Sequence, residues 1–273
     1  MICGYGSPPG DGPPDPEVAY WETGAEEYYR QHAASLGSDR LVWCPEGLEE
    51  AEARLLGDVS GLSVLEVGCG AAQGTRWAAA AGARATGIDL SAGMLAVGRR
   101  LGTDGFALVQ ADAAALPFAP ASFDLAFSAF GALPFTPSLA AVHREVARVL
   151  RPGGRWVFST THPFAWVFPD SPDPADLAVR RSYFDRTAYF ELDDADRLSY
   201  AEYHVTLGDH VAALTGAGFA LDQLIEPEWQ TEGGAAPGEW GAWSRDRGAL
   251  VPSTLIIAAH LTAEIGERSA RPI

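Results

Sequence analysis

An α/β fold, with a mostly parallel sheet covered by helices on both faces, is what the middle of this chain predicts, and three observations carry it. From Leu62 onward short β-rich runs alternate with helical runs. The first β-rich run, SVLEV, opens into a glycine turn, GCGAAQG at 68–74. The second run ends in an acid, Asp89, nineteen residues beyond Gly70.

The elements follow in order. Residues 1–16 are rich in Gly and Pro and read as a disordered tail. Residues 17–60 read as an N-terminal helical cap: one pattern carries Trp21, Ala25, Tyr28 and His32, and a second, after Pro45, carries Leu48, Ala51, Leu55 and Leu56. The main domain is expected over 61–263, with strands at 63–67, 83–88, 105–110, 123–128 and 155–160 and helices at 75–81, 92–101 and 138–150. The last helix stops at Arg151-Pro152-Gly153-Gly154. Residues 162–206 lose all periodicity and are rich in aromatics, which reads as a functional insertion. A short helix in GDHVAALTGAGF and strands at 220–225 and 254–261 complete the pattern, and 264–273 reads as a flexible tail.

Composition narrows the partners. Nineteen basic against 36 acidic side chains give a net charge of −17, the wrong sign for a phosphate backbone or an anionic membrane surface. Cys3, Cys44 and Cys69 lack C-x-x-C spacing, which fits a reducing compartment without disulfides or structural zinc, and no metal-ligand spacing is seen elsewhere. The N-terminus has no signal-peptide pattern and no run approaches the roughly 20 apolar residues of a membrane span, so a cytoplasmic protein is expected.

Glycines after a strand serve either of two cofactors, a nicotinamide dinucleotide or S-adenosylmethionine (SAM). Gln73 stands where the third glycine of a dinucleotide fingerprint belongs. Asp89 can accept both hydroxyls of a ribose, which both cofactors carry. Asp112, in QADAAALPF after the third strand, can accept from an adenine amine while the next backbone N–H, that of Ala113, meets a ring nitrogen.

The segments VLEVGCG, GIDLSAGML, QADAAALPF, SFDLAFSAFGALPF and EVARVLRPGGRWVFST together resemble the successive motifs of class I SAM-dependent methyltransferases of the small-molecule, type-11-like family. The resemblance covers about residues 62–161, with Ala72 where many members have a third glycine. It implies a Rossmann-like sheet of seven strands whose last strand is antiparallel and inserted between the fifth and sixth, SAM as cofactor and S-adenosylhomocysteine (SAH) as product. By the same resemblance Gly68 and Gly70 approach the methionine part, Glu66 organises the glycine loop through backbone N–H groups, Leu90 and Met94 cover ribose and adenine, and the backbone at Ser128 faces the methionine ammonium. The N-terminal helix resembles a cap that closes over the cofactor.

Candidate acceptor-side residues are Tyr20 and Tyr28 of the cap, Tyr183 and Tyr203 of the insertion and Trp229 of the following loop. His162, directly after the fifth strand, and His204 are candidate bases; His143, in AAVHREVARVL, reads as a surface residue. The expected activity is methyl transfer to an O, N or C atom of a small molecule, in bacterial specialised metabolism, by a monomer or homodimer. The rival expectations are a rearrangement or cyclisation in the same pocket and a non-enzymatic SAM sensor.

Overall fold

In the computed structural model, which describes residues 2–6, 16–37, 40–192, 198–229 and 243–262, the sheet has seven strands. They are β2 (Ser63–Val67), β3 (Arg84–Asp89), β4 (Phe106–Gln110), β5 (Phe123–Ala129), β6 (Leu150–Thr161), β9 (Phe219–Ile225) and β10 (Thr254–Leu261). Their spatial order is β4-β3-β2-β5-β6-β10-β9, and β10 runs antiparallel to both of its neighbours. The remaining pairings are parallel.

The central strands are buried almost continuously because both faces of the sheet are covered, and successive side chains point to opposite cores. Leu65, Val67, Ile88, Trp156 and Phe158 face one core, with α5 (Leu139–Val149) and α6 (Leu207–Gly216) above it. Val64, Ala85, Leu125, Phe127 and Val157 face the other, closed by α3 (Gln73–Ala80), Trp43, Leu55 and Leu56. The helix α4 (Ala92–Arg100) begins at Ser91, whose hydroxyl accepts from Met94 N at 3.0 Å.

Three expectations are corrected here. First, Ile2–Gly6 of the supposed tail is a strand, β1, pairing with β7 (Ala188–Leu192), which pairs in turn with β8 (Leu198–Glu202) in a separate antiparallel sheet. Its backbone partner lies far along the chain, where local composition carries no sign of it. Residues 7–15 and the expected tail 264–273 lie outside the described residues. Second, the cap is mainly one helix, α1 (Pro16–Leu36), while the second pattern shrinks to α2 (Glu50–Ala53). Arg54 turns left-handed at φ 49°, and the Leu55 and Leu56 N–H groups go to the buried Glu50 carboxylate at 3.0 and 2.7 Å instead of extending the helix. Third, His143 is buried: its Nδ1 accepts from Trp156 Nε1 at 3.1 Å, and burial pushes its pKa down to about 3.

Candidate functional site

Strand order reverses between β2 and β5, and the crevice outside their carboxyl ends is where an open α/β sheet holds a ligand. There the loops after the two strands nearly touch. A Cβ on Gly68 (φ +71°) would lie 2.4 Å from Ala132 N and 2.8 Å from Gly131 Cα, so only glycine permits this approach. Ala72, where the resemblance has a glycine, adopts φ 67° all the same and opens α3 from a left-handed N-cap. Phe130, just after β5, is also left-handed at φ 49° and walls the cavity.

The cavity measures about 1110 Å³. Gly68, Gly70, Asp89, Leu90, Met94, Asp112 and Ala113 line one end of it, all at or just past the carboxyl ends of β2, β3 and β4. Asp89 is the organising group. Its Oδ2 accepts from Gly70 N at 2.7 Å and its Oδ1 from Ser91 N at 2.9 Å, tying the β3 end to the glycine loop. Each oxygen keeps further acceptor capacity. Burial raises the Asp89 pKa against the pull of those backbone bonds, so additional donors would stabilise the charged form.

Met94 belongs to a small core with Ala25, Ala71 and Val97 and also approaches Gly70, whose Cβ would lie 3.2 Å from its Cε. Asp112 Oδ1 accepts from Ala114 N at 2.8 Å, the turn-forming use of such an acid, and its side chain is exposed at the cavity edge. Glu66 is buried, accepts the Thr75 hydroxyl, and is driven by burial to a pKa of about 8.

Helix α1 closes over this end. Glu22 accepts from Ala92 N (2.6 Å) and Gly93 N (3.1 Å), capping α4 from a distance, and Arg100 pairs with Glu26. Sequence reasoning missed Glu22 because its partners lie 70 residues away; the acid-rich WETGAEE run was the available signal.

The other end is aromatic. Tyr20, Trp21, Tyr28, Phe135, Trp166, Tyr189, Tyr200, Tyr203 and Trp243 line it. Tyr203 is pinned by its N–H to Pro134 O at 2.9 Å, and burial lifts the Tyr28 pKa to about 12.

Five expected site residues lie off this cavity. His162 caps the 3-10 turn Pro163–Val167, its Nδ1 accepting from Phe164 N at 3.1 Å, while Nε2 sits 2.9 Å from Glu226 on the far side. Burial lowers its pKa, with Glu226 opposing. The His204 Nε2 meets Tyr183 O at 2.8 Å behind the ring of Trp166, and burial lowers its pKa too. Tyr183 spends its hydroxyl oxygen on Leu207 N at 2.8 Å. Trp229 packs against Gly248, and Ser128 is buried one residue short of Ala129, which does line the cavity. For His162, His204 and Tyr183 a nearer structural partner claims the side chain. Residues 230–242, the rest of the loop that follows Trp229, lie outside the described residues.

Comparison with known proteins agrees with this geometry. Residues 65–158 match the family model described as "Methyltransferase domain". The chain is 33% identical over 192 residues to a sterol 24-C-methyltransferase of Gibberella zeae, covering 68% of this chain and 46% of that protein. It is 38% identical over 133 residues to a demethylmenaquinone methyltransferase of Beutenbergia cavernae, covering 48% of this chain and 52% of that one. The chain thus spans about half the length of these curated relatives. Among solved structures, an S-adenosylmethionine-dependent methyltransferase from Mesorhizobium loti superposes with a TM-score of 0.59 at 29% identity, over 80% of this chain and all of that one (100%).

Proposed function

We propose, from the match of residues 65–158 to a methyltransferase-domain family model, that this chain transfers a methyl group from SAM to a small molecule. The observation that supports it most is Asp89, fixed at the sheet's reversal by two backbone donors and still able to accept a ribose diol. Gly68 and Gly70 leave room for the methionine part, Asp112 and Ala113 stand where an adenine would meet them, and Leu90 and Met94 supply apolar cover. When bound, SAM supplies a sulfonium-activated methyl. What the chain must add is alignment and exclusion of water, the work of α1 and the aromatic wall. This asks for no catalytic triad, in keeping with His162 and His204 standing off the cavity. No helix among the described residues is long and apolar enough to cross a membrane, and a cytoplasmic setting completes the proposal.

The test is transfer of label from methyl-labelled SAM to a bacterial metabolite extract, with calorimetric titration of SAM, SAH and NAD. Tight SAM and SAH binding, no NAD binding and one labelled small product are expected. Turnover of an extract component without label transfer would favour a rearrangement instead. Asp89→Ala removes two bonds to a charged group, each worth about 1.5–3 kcal/mol, and is expected to weaken SAH at least about ten-fold. Unchanged affinity removes the assignment.

A further inference from the structure

The small sheet carries a patterned face. β7 and β8 are antiparallel, with Tyr189 opposite Glu202 and Glu191 opposite Tyr200. Side chains two apart on one strand share a face, as do directly opposed pairs. Two phenols and two carboxylates therefore alternate as a checkerboard, extended by Tyr5 opposite Tyr189, and all five line the cavity. Each carboxylate is held by the tyrosine two residues before it: Tyr189 Oη donates to Glu191 Oε1 at 2.7 Å, and Tyr200 Oη donates to Glu202 Oε1. Facing them is an aromatic wall, with the Tyr20 ring 5.0 Å from Tyr200 and 5.0 Å from Trp21, and Phe135 5.5 Å from Trp21 and 5.9 Å from Tyr200. Asp170 also lines the cavity.

Carboxylates dominate the electrostatics of this face; the Arg181 guanidinium lies over the Tyr5 ring, 3.3 Å from its centroid, and is paired with Asp185 at 3.1 Å. Burial raises the Glu202 pKa to about 7, helped by the negative charges of Asp170 and Glu191 and opposed only by the Tyr200 bond. Burial, then Glu191 and Glu202, raise Tyr20 as well. Among the described lining residues the one Lys or Arg is Arg40, and it is paired with Glu49 at 2.6 Å. A cation seated here would relieve the crowding and gain the faces of the surrounding rings.

We propose that the methyl acceptor is an amine, bound as its ammonium ion between Glu191 and Glu202 and the rings of Tyr20, Tyr200 and Phe135, with Glu202 as the proton acceptor. This rests on the methyl-transfer reading above. The ammonium gives one N–H proton to the Glu202 carboxylate. The freed nitrogen lone pair then forms the N–C bond to the methyl carbon as the C–S bond breaks, and that bond's electron pair stays on sulfur. The products are the methylated amine as its ammonium ion, which carries the positive charge that left sulfur, and the neutral thioether, and Glu202 passes its proton to water.

The test uses the full chain. SAH affinity is measured first; if SAH does not bind, the function reading fails and this proposal falls with it. With SAH saturating, tryptamine and phenethylamine are titrated against their carboxylate and alcohol counterparts: indole-3-propionate, 3-phenylpropionate, tryptophol and 2-phenylethanol. The amines are expected to bind at least about ten-fold tighter, and Glu202→Gln and Glu191→Gln to cut that preference to about three-fold or less while SAH affinity stays within about three-fold. Retained SAH binding shows that the variants are folded. With labelled SAM the label is expected on the amine nitrogen. The proposal is overturned if neither amine binds, if a carboxylate or alcohol binds as well, or if both variants keep the preference. It is equally overturned if Glu202→Gln leaves the preference intact but weakens SAM relative to SAH, because the carboxylates would then serve the sulfonium.

Discussion

Gly68 shows how much one residue can decide. Its φ of +71° and the backbone of Gly131 and Ala132 leave no space for a side chain. Gly68→Ala adds the left-handed penalty, about 1–2 kcal/mol, to the overpacking cost of about 1–3 kcal/mol. A loss of at least about 2 kcal/mol is expected, read as a fall in Tm of about 4 °C or more, together with loss of SAH binding. A variant that keeps both would show that the two loops can part. Asp89 was legible from spacing alone, because the carboxyl edge of a second strand is a fixed place in this topology. His162 and His204 were not. A histidine's position along the chain shows which region it occupies, but its ring goes to the nearest unsatisfied donor or acceptor, here Phe164 N and Tyr183 O.

Among the elements, α1 is bound to α4 by a specific device, the Glu22 carboxylate on the Ala92 and Gly93 N–H groups. A carboxylate at a helix N-terminus contributes about 1–2 kcal/mol in a partly buried setting. Glu22→Ala is therefore expected to speed hydrogen exchange in α1 and weaken SAH several-fold, with little change in the exchange of β2, β5 and β6. If α1 exchange is unchanged, the aromatic contacts of Trp21 and Tyr28 hold the cap without it. The strands of the large sheet were readable within a residue or two at most ends because buried strands need continuous apolar runs. The strands of the small sheet were not, since β7 and β8 bury polar residues against a cavity and β1 sits in a glycine-rich stretch.

The pH profile belongs to the whole molecule, since it sums buried groups of both kinds. Burial lowers His143 to about 3 and His210 to about 4, so below pH 6.5 the unfolded chain binds protons that the folded one refuses, and stability falls as pH drops. Burial raises Glu66 to about 8 and Glu202 to about 7, so above pH 4.5 the folded chain keeps protons that the unfolded one has lost, and stability falls as pH rises. Between about pH 4.5 and 6.5 the two pairs oppose each other. Below that window the histidines act together with the lowered carboxylates of Asp124, Glu145, Asp185 and Asp209 in the destabilising direction. The protein without ligand is expected to have its highest Tm in that mildly acidic window, with a steep fall below pH 4.5 and a gentler one toward pH 8. A Tm that climbs from pH 6 to pH 8 would contradict this account.

By itself the sequence determined the seven-stranded sheet, the glycine loop and the acids at the strand ends, because strand period, turn chemistry and motif spacing are local properties of the chain. Only the tertiary structure decided what faces the cavity. The Tyr–Glu checkerboard needs the register of β7 on β8, the cap needs Glu22 to meet α4, and burial of His143 needs Trp156 opposite it. Each of these depends on which distant segment arrives alongside, and a side chain's exposure and pKa are set by that arrival.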